Sequence, residues 1–262
     1  MADILETIIA NKKIEVERAK SALPLAELTS RLAGLPDVRR SLRKSLTESP
    51  VGIIAEFKRK SPSRGWINRE AKADVIPAAY CAAGASACSI LTDSDFFGGS
   101  PRDIIAARPS VTVPILRKDF MIDEYQIVEA KCMGADVVLL IAAALSVEQC
   151  HRLARVAHDC ALETILEVHS ESEIDYIGDN IDVVGVNNRN LGSFVTSVEN
   201  SFRMADKIPD DCVKISESGI SDVATIRQLR SAGFRGFLIG ERFMKTADPG
   251  SALAQFVKEI SE

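Results

Sequence analysis

The chain has 262 residues, 46% of them hydrophobic and 26% charged, the balance of a folded protein of ordinary size. A net charge of -5 gives no reason to expect a nucleic-acid or membrane partner. No run of about 20 apolar residues occurs, and the acidic start Met-Ala-Asp-Ile-Leu-Glu lacks the apolar core of a signal peptide, so a cytoplasmic protein is expected.

Residues 1–50 come first and read as helical. Leu5, Ile8, Ile9 and Val16 share one helix face, and the stretch from Arg39 to Lys44 supplies charge. The segment is too long for a tail and too short for a second domain. It is expected to be a helical extension covering one mouth of a single domain that spans residues 1–262.

Eight apolar runs rich in Val, Ile and Leu follow, over 52–57, 87–91, 113–116, 136–141, 164–168, 183–186, 213–215 and 236–239. They are near-continuous rather than alternating, as strands buried on both faces are. Helices are expected between them. Asp123-x-x-Gln126 and Ser146-x-x-Gln149 have the spacing of capping boxes, and Val147, Cys150, Leu153, Ala154 and Ala157 share one face. Ser221 is the expected cap of a helix carrying Val223, Ile226 and Leu229. Gly84, Gly134 and Gly233 each fall where a helix ends just before a strand, a place that favours left-handed backbone. Eight alternating β/α units imply an α/β fold with a parallel sheet that closes into a (β/α)8 barrel; a doubly wound open sheet is the alternative.

Cys81, Cys88, Cys132, Cys150, Cys160 and Cys212 form no C-x-x-C pair and read as reduced thiols. His151, His158 and His169 show no metal-ligand spacing, so no metal is expected.

Chemistry in such a barrel sits where strands end and loops begin. Ionisable residues at the ends of the apolar runs are therefore the candidates. The first run gives Glu56, Lys58 and, just beyond, Ser61. The third gives Lys118, the fifth Glu167, the sixth Asn187, and the seventh Glu217 and Ser218. Charge at the end of a buried strand is costly unless it is paired or used, and opposite charges in one cleft tune each other for acid–base work. After the last two runs, Ser216-Glu217-Ser218-Gly219-Ile220 and Ile239-Gly240-Glu241 bring glycines to the corner where barrels often hold phosphate.

At these residues the chain resembles the indole-3-glycerol phosphate synthase family. The likeness rests on Glu56-Phe57-Lys58-Arg59-Lys60-Ser61-Pro62-Ser63, Ile90-Leu91-Thr92-Asp93 with Phe97-Gly98-Gly99-Ser100, and Leu116-Arg117-Lys118-Asp119-Phe120. It continues through Leu166-Glu167-Val168-His169, Gly185-Val186-Asn187-Asn188-Arg189-Asn190-Leu191 and Ser216-Glu217-Ser218-Gly219-Ile220. The resemblance implies a carboxy-lyase of tryptophan biosynthesis that closes, decarboxylates and dehydrates 1-(2-carboxyphenylamino)-1-deoxyribulose 5-phosphate.

The resemblance also implies roles. Lys118 matches a general acid toward the ketone oxygen, and Glu167 a group that stabilises the cationic intermediate or assists dehydration. Glu56 and Lys58 match a coupled pair, with Lys58 near phosphate and hydroxyl. Asn187 and Arg189 match groups holding the carboxylate or the sugar hydroxyls, and Glu217 and Ser218 further pocket residues. Phe97, Phe120, Leu139 and Leu191 match apolar walls. Ser61, Gly219, Gly240 and Glu241 fall in the phosphate region, where Glu241 replaces a small polar residue; its side chain is expected to turn away. No cofactor is implied, because the cation formed on ring closure can take the electrons released by decarboxylation. The expected partner is a small phosphorylated molecule, bound by a monomer, with a weak dimer as the alternative. A Schiff-base barrel aldolase and a non-catalytic phosphate-binding barrel are the competing readings.

Overall fold

The computed structural model describes residues 4–35, 38–190, 192 and 195–262. Eight parallel strands close into a barrel: β1 (Ile53–Phe57), β2 (Ala87–Leu91), β3 (Ile115–Lys118), β4 (Val137–Ile141), β5 (Glu163–Val168), β6 (Val183–Asn187), β7 (Val213–Glu217) and β8 (Phe234–Ile239). Each strand pairs with its neighbours in sequence. β8 returns to β1 through Ile53↔Phe237, Ile54↔Leu238 and Ala55↔Ile239. The seam leaves no edge to cap, and the open-sheet alternative is excluded.

Alternation along the strands divides the core in two. Ile54, Leu116, Val137, Leu139, Ile165 and Ile215 fill the barrel. Ile53, Ala55, Cys88, Ile90, Val138 and Leu140 face the surrounding helices. Both layers are fully buried, which explains why the strands read as continuous apolar runs.

Gly52 fixes the entry to β1. Its φ is +68°, and a Cβ there would lie 2.2 Å from the Arg235 carbonyl oxygen. Only glycine tolerates both the left-handed backbone and this approach.

The capping boxes at Asp123 and Ser146 form as expected, opening the helices Glu124–Met133 and Val147–Asp159. Gly84, Gly134 and Gly233 all adopt positive φ. The cap expected at Ser221 belongs instead to Asp222, whose carboxylate accepts from the Thr225 amide at 2.8 Å. A charged oxygen one residue closer to the helix displaces the hydroxyl from that role. Three strands also run further than their apolar runs: Lys118, Asn187 and Glu217 are strand residues, with Leu91↔Lys118 and Asn187↔Glu217 in register. Ladder bonds continue where hydropathy stops.

The extension forms α1 (Ile4–Ala22), α2 (Leu25–Leu32) and α3 (Leu42–Glu48). It serves both ends of the barrel rather than one mouth. α3 closes the end where strands begin: Leu42 and Leu46 are wholly buried in the inner core, and the Arg43 amide donates to Glu163 at the start of β5. α1 lies at the opposite end. Lys12, on its buried face with Leu5, Ile8 and Val16, reaches Asp93 at 3.0 Å and Asp119 at 2.9 Å, just past β2 and β3. Among the described residues no helix is long and apolar enough to cross a membrane.

Candidate active site

The ends of the strands and the face of α1 enclose one pocket. Its floor is the uppermost inner layer, Leu139, Ile141 and Leu238. Above it stand Glu56, Lys58, Lys118, Glu167, Asn187 and Glu217, so charges remote in sequence meet at one place.

Lys118 is the hub. Its ammonium donates to Glu167 Oε2 at 3.0 Å and to Glu217 Oε2 at 2.5 Å. Burial works against its charge, but Glu217, Glu167 and Glu56 outweigh burial and hold the ammonium well above the usual lysine range. Its neighbour Arg117 points outward into Thr92, Asp119 and the Gln126 carbonyl, as strand alternation requires.

The carboxylates are not equivalent. Burial disfavours ionised Glu167, yet Lys118, His169 and the Asn187 amide at 3.1 Å bring it below the ordinary glutamate range. Glu217 moves the other way. Burial, with Glu167 and Glu56 nearby, overcomes the attraction of Lys118 and raises its proton affinity. Its buried Oε1 has no hydrogen-bond partner among the described residues. Glu56 accepts from Lys58; burial opposes its charge, but Lys58 and Lys118 keep it below the usual range. Glu217, raised to about 7, is thereby poised to take up and release a proton near neutral pH.

Two glycines make room for these side chains. A Cβ on Gly185 would lie 2.4 Å from Glu217 Oε1, and one on Gly240 would lie 2.5 Å from Glu56 Oε1. Gly240 is therefore required by the close approach of Glu56. Gly219 has φ +75°, and Ser218 before it holds φ +69°, a strained conformation for a residue with a side chain.

Phe97 and Phe120 form the apolar wall, with ring centroids 6.0 Å apart. Arg189 donates to Ser63 Oγ at 3.2 Å, bridging β6 to the loop after β1. The Glu241 carboxylate turns to Arg64, 3.4 Å from its Nε. Arg242 donates to the Ser221 carbonyl and stacks on Phe256 at 4.4 Å, so it does not neutralise Glu241.

Of the residues expected here, Ser61 does not line the pocket; it is buried in a hairpin that pairs 60–61 with 65–66. Leu191 lies outside the described residues. Sequence reasoning missed Leu5 and Ile8 as pocket walls, and Pro62, Asp119 and Ile220. The apolar face of α1 was visible, but not which mouth it would cover. Among the described residues no group of three or more His, Cys, Asp or Glu side chains has the geometry to hold a metal ion.

Residues 5–256 match the family model of indole-3-glycerol phosphate synthase. An indole-3-glycerol phosphate synthase of Bacteroides thetaiotaomicron is 57% identical over 260 residues, covering 99% of this chain and all of that protein. One of Chromobacterium violaceum is 39% identical over 259 residues, covering 97% and 98%. Among solved structures, 3-hexulose-6-phosphate synthase from Salmonella typhimurium aligns with a TM-score of 0.62 at 12% identity, over 80% of this chain and 98% of the other. The tryptophan synthase complex of Pyrococcus furiosus aligns at 0.59 and 14%, over 80% and 97%. These two likenesses concern the fold alone.

Proposed function

The chain belongs to the indole-3-glycerol phosphate synthase family, and from that premise we propose how its residues divide the reaction. The substrate is 1-(2-carboxyphenylamino)-1-deoxyribulose 5-phosphate. Ring closure, decarboxylation and dehydration turn it into indole-3-glycerol phosphate, carbon dioxide and water in tryptophan biosynthesis.

The observation that carries the assignment is the Lys118 ammonium held between Glu167 and Glu217 above the apolar floor. The substrate arene packs against Phe97, Phe120 and Leu139. Its phosphate lies by Gly219 and Gly240, with the Lys58 cation between the two ends. In this pose the ketone oxygen faces Lys118. As the ring carbon bearing the carboxylate attacks the ketone carbon, Lys118 gives its proton to the oxygen. The arene becomes a cationic imine, which receives the electron pair as carbon dioxide leaves. Arg189 and Asn187 hold the carboxylate before that step. Once Lys118 has lost its charge, Glu167 takes up a proton and passes it to the departing hydroxyl, and Glu217, with its raised proton affinity, accepts the ring proton as the indole becomes aromatic.

The same geometry disfavours an aldolase. A Schiff base needs a neutral amine, and three carboxylates keep Lys118 charged. All the proposed groups come from one chain, as a monomeric enzyme requires.

Borohydride added during turnover tests the assignment. Continued release of fluorescent indole product, with no mass added to Lys118 or Lys58, is expected. A reduced substrate adduct on either lysine would replace the lyase reading with the aldolase one.

A further inference from the structure

His169 has no metal-ligand spacing and no place among the reacting groups above. It stands one residue past β5 and two past Glu167, so both side chains lean to the same side. Its Nε2 lies 3.5 Å from Glu167 Oε1, and its Nδ1 lies 3.8 Å from Glu173 Oε2. Among the described residues neither ring nitrogen has a hydrogen-bond partner at shorter range. Glu173 is fixed: its carboxylate accepts from the backbone amides of His169 at 2.5 Å and Ser170 at 3.4 Å, completing a capping box. An imidazole with an anion facing each nitrogen favours the imidazolium, the only form in which both nitrogens donate.

Solvent reaches this line from the side away from the substrate. A second cavity shares Asn187 and Arg189 with the substrate pocket and is lined by His169, Glu173 and Arg203. Side-chain exposure rises from 4% at Glu167 to 13% at His169 and 16% at Glu173.

The reaction needs such a supply. Ring closure puts one proton on the ketone oxygen, and loss of the hydroxyl as water takes a second. Aromatisation returns one. With the carboxylate leaving as carbon dioxide, each turnover consumes one proton, while bound substrate covers Lys118 and Glu167.

We propose that His169, anchored on Glu173, is the proton reservoir that recharges Glu167 from the second cavity during turnover. The Nε2 proton passes to Glu167 Oε1, and the ring keeps its Nδ1 proton toward Glu173. One solvent proton then restores the imidazolium. Only N–H and O–H bonds change. Lys118 supplies the trigger. While charged, it is the strongest influence opposing burial at Glu167. Once its proton is on the ketone oxygen, Glu167 loses that attraction and its proton affinity climbs. A contraction of about 0.5 Å, within reach of side-chain rotation, brings the 3.5 Å separation to hydrogen-bond length.

The other charges around the ring are consistent with this role. Burial opposes the imidazolium, but Glu173, Glu167 and Glu217 raise His169 above the usual histidine range. Lys118 stands beyond Glu167, and Arg203 is tied to Asn200, whose amide donates to the His169 carbonyl.

The inference rests on the reading of Glu167 as an acid, and it is tested by kcat against pH for wild type, His169→Gln, Glu173→Gln and Glu167→Gln. Wild-type kcat should fall as pH rises through the raised value of His169. His169→Gln should lose that limb and run at least about tenfold slower near neutral pH, with KM within about twofold and partial rescue by added imidazole. Glu173→Gln removes an anion that raises His169, so its limb should move to lower pH with the maximum rate kept. Wild-type rate and limb in His169→Gln would overturn the relay. So would a pH-independent loss without imidazole rescue, or an unmoved limb in Glu173→Gln, which decides the matter even if His169→Gln folds poorly. An inactive Glu167→Gln beside a wild-type-like His169→Gln removes the relay alone; an active Glu167→Gln removes the reading of Glu167 itself.

Discussion

The division of labour in the pocket comes from what surrounds each charge. Lys118 keeps its proton because three carboxylates outweigh its burial, and Glu217 has a raised proton affinity because burial and its fellow carboxylates outweigh Lys118. Two substitutions probe the supporting atoms. Gly185→Ala puts a methyl 2.4 Å from Glu217 Oε1 in the present geometry, so the carboxylate must move. We expect kcat to fall roughly tenfold or more with little change in KM, read by steady-state kinetics. Glu241 acts at the other end. Its carboxylate pairs with Arg64, so removing it frees that cation and takes a negative charge away from the proposed phosphate site. Glu241→Ser should lower KM about two- to fivefold, with the gain fading as salt rises; an unchanged KM at low salt would remove Glu241 from the phosphate site.

At the scale of elements, one lysine ties α1 to the barrel. Lys12 is 2% exposed and pairs with two buried aspartates that follow different strands. Burial favours protonated Asp119, but Arg117 and Lys12 hold it below the usual aspartate range. Its folded value is depressed, so its contribution is present above the unfolded pKa of about 3.9 and is lost as pH falls through the folded value. Lys12→Met takes the cation away from buried Asp93 and leaves Asp119 to Arg117 and Thr92. It should cost about 3–5 kcal/mol and move acid unfolding to higher pH, both measurable by denaturation. It should also raise KM, because Leu5 and Ile8 on the same helix line the pocket. The sequence displayed the Lys12 position on an apolar face, but its partners Asp93 and Asp119 lie 81 and 107 residues away, beyond the reach of periodicity. The role of His169 was not legible for a related reason: histidine spacing reports metal sites, whereas its partners are carboxylates on its own strand and on the turn that follows.

The barrel as a whole was legible because both faces of every strand are buried, which writes the strands as unbroken apolar runs. The charged strand ends were legible against that background. Glu56, Lys118, Glu167, Asn187 and Glu217 fall at or just past the ends of apolar runs, and all five line one pocket. The two-sided role of residues 1–50 was not legible, since amphipathic helices state that they pack but not on what. Closure itself depends on backbone. Gly52→Ala meets the Arg235 carbonyl at the β8–β1 seam, and we expect a loss of about 2–4 kcal/mol in equilibrium unfolding.

The central claim is that a cofactor-free pocket closes the indole ring by proton donation from Lys118. Its most direct measurement is the appearance of indole fluorescence from 1-(2-carboxyphenylamino)-1-deoxyribulose 5-phosphate with wild type and with Lys118→Met, both saturated with substrate. The account predicts product from wild type without added cofactor and a kcat lower by roughly 10²–10⁴-fold in the variant, with substrate affinity retained. Near-wild-type turnover by folded Lys118→Met would contradict it.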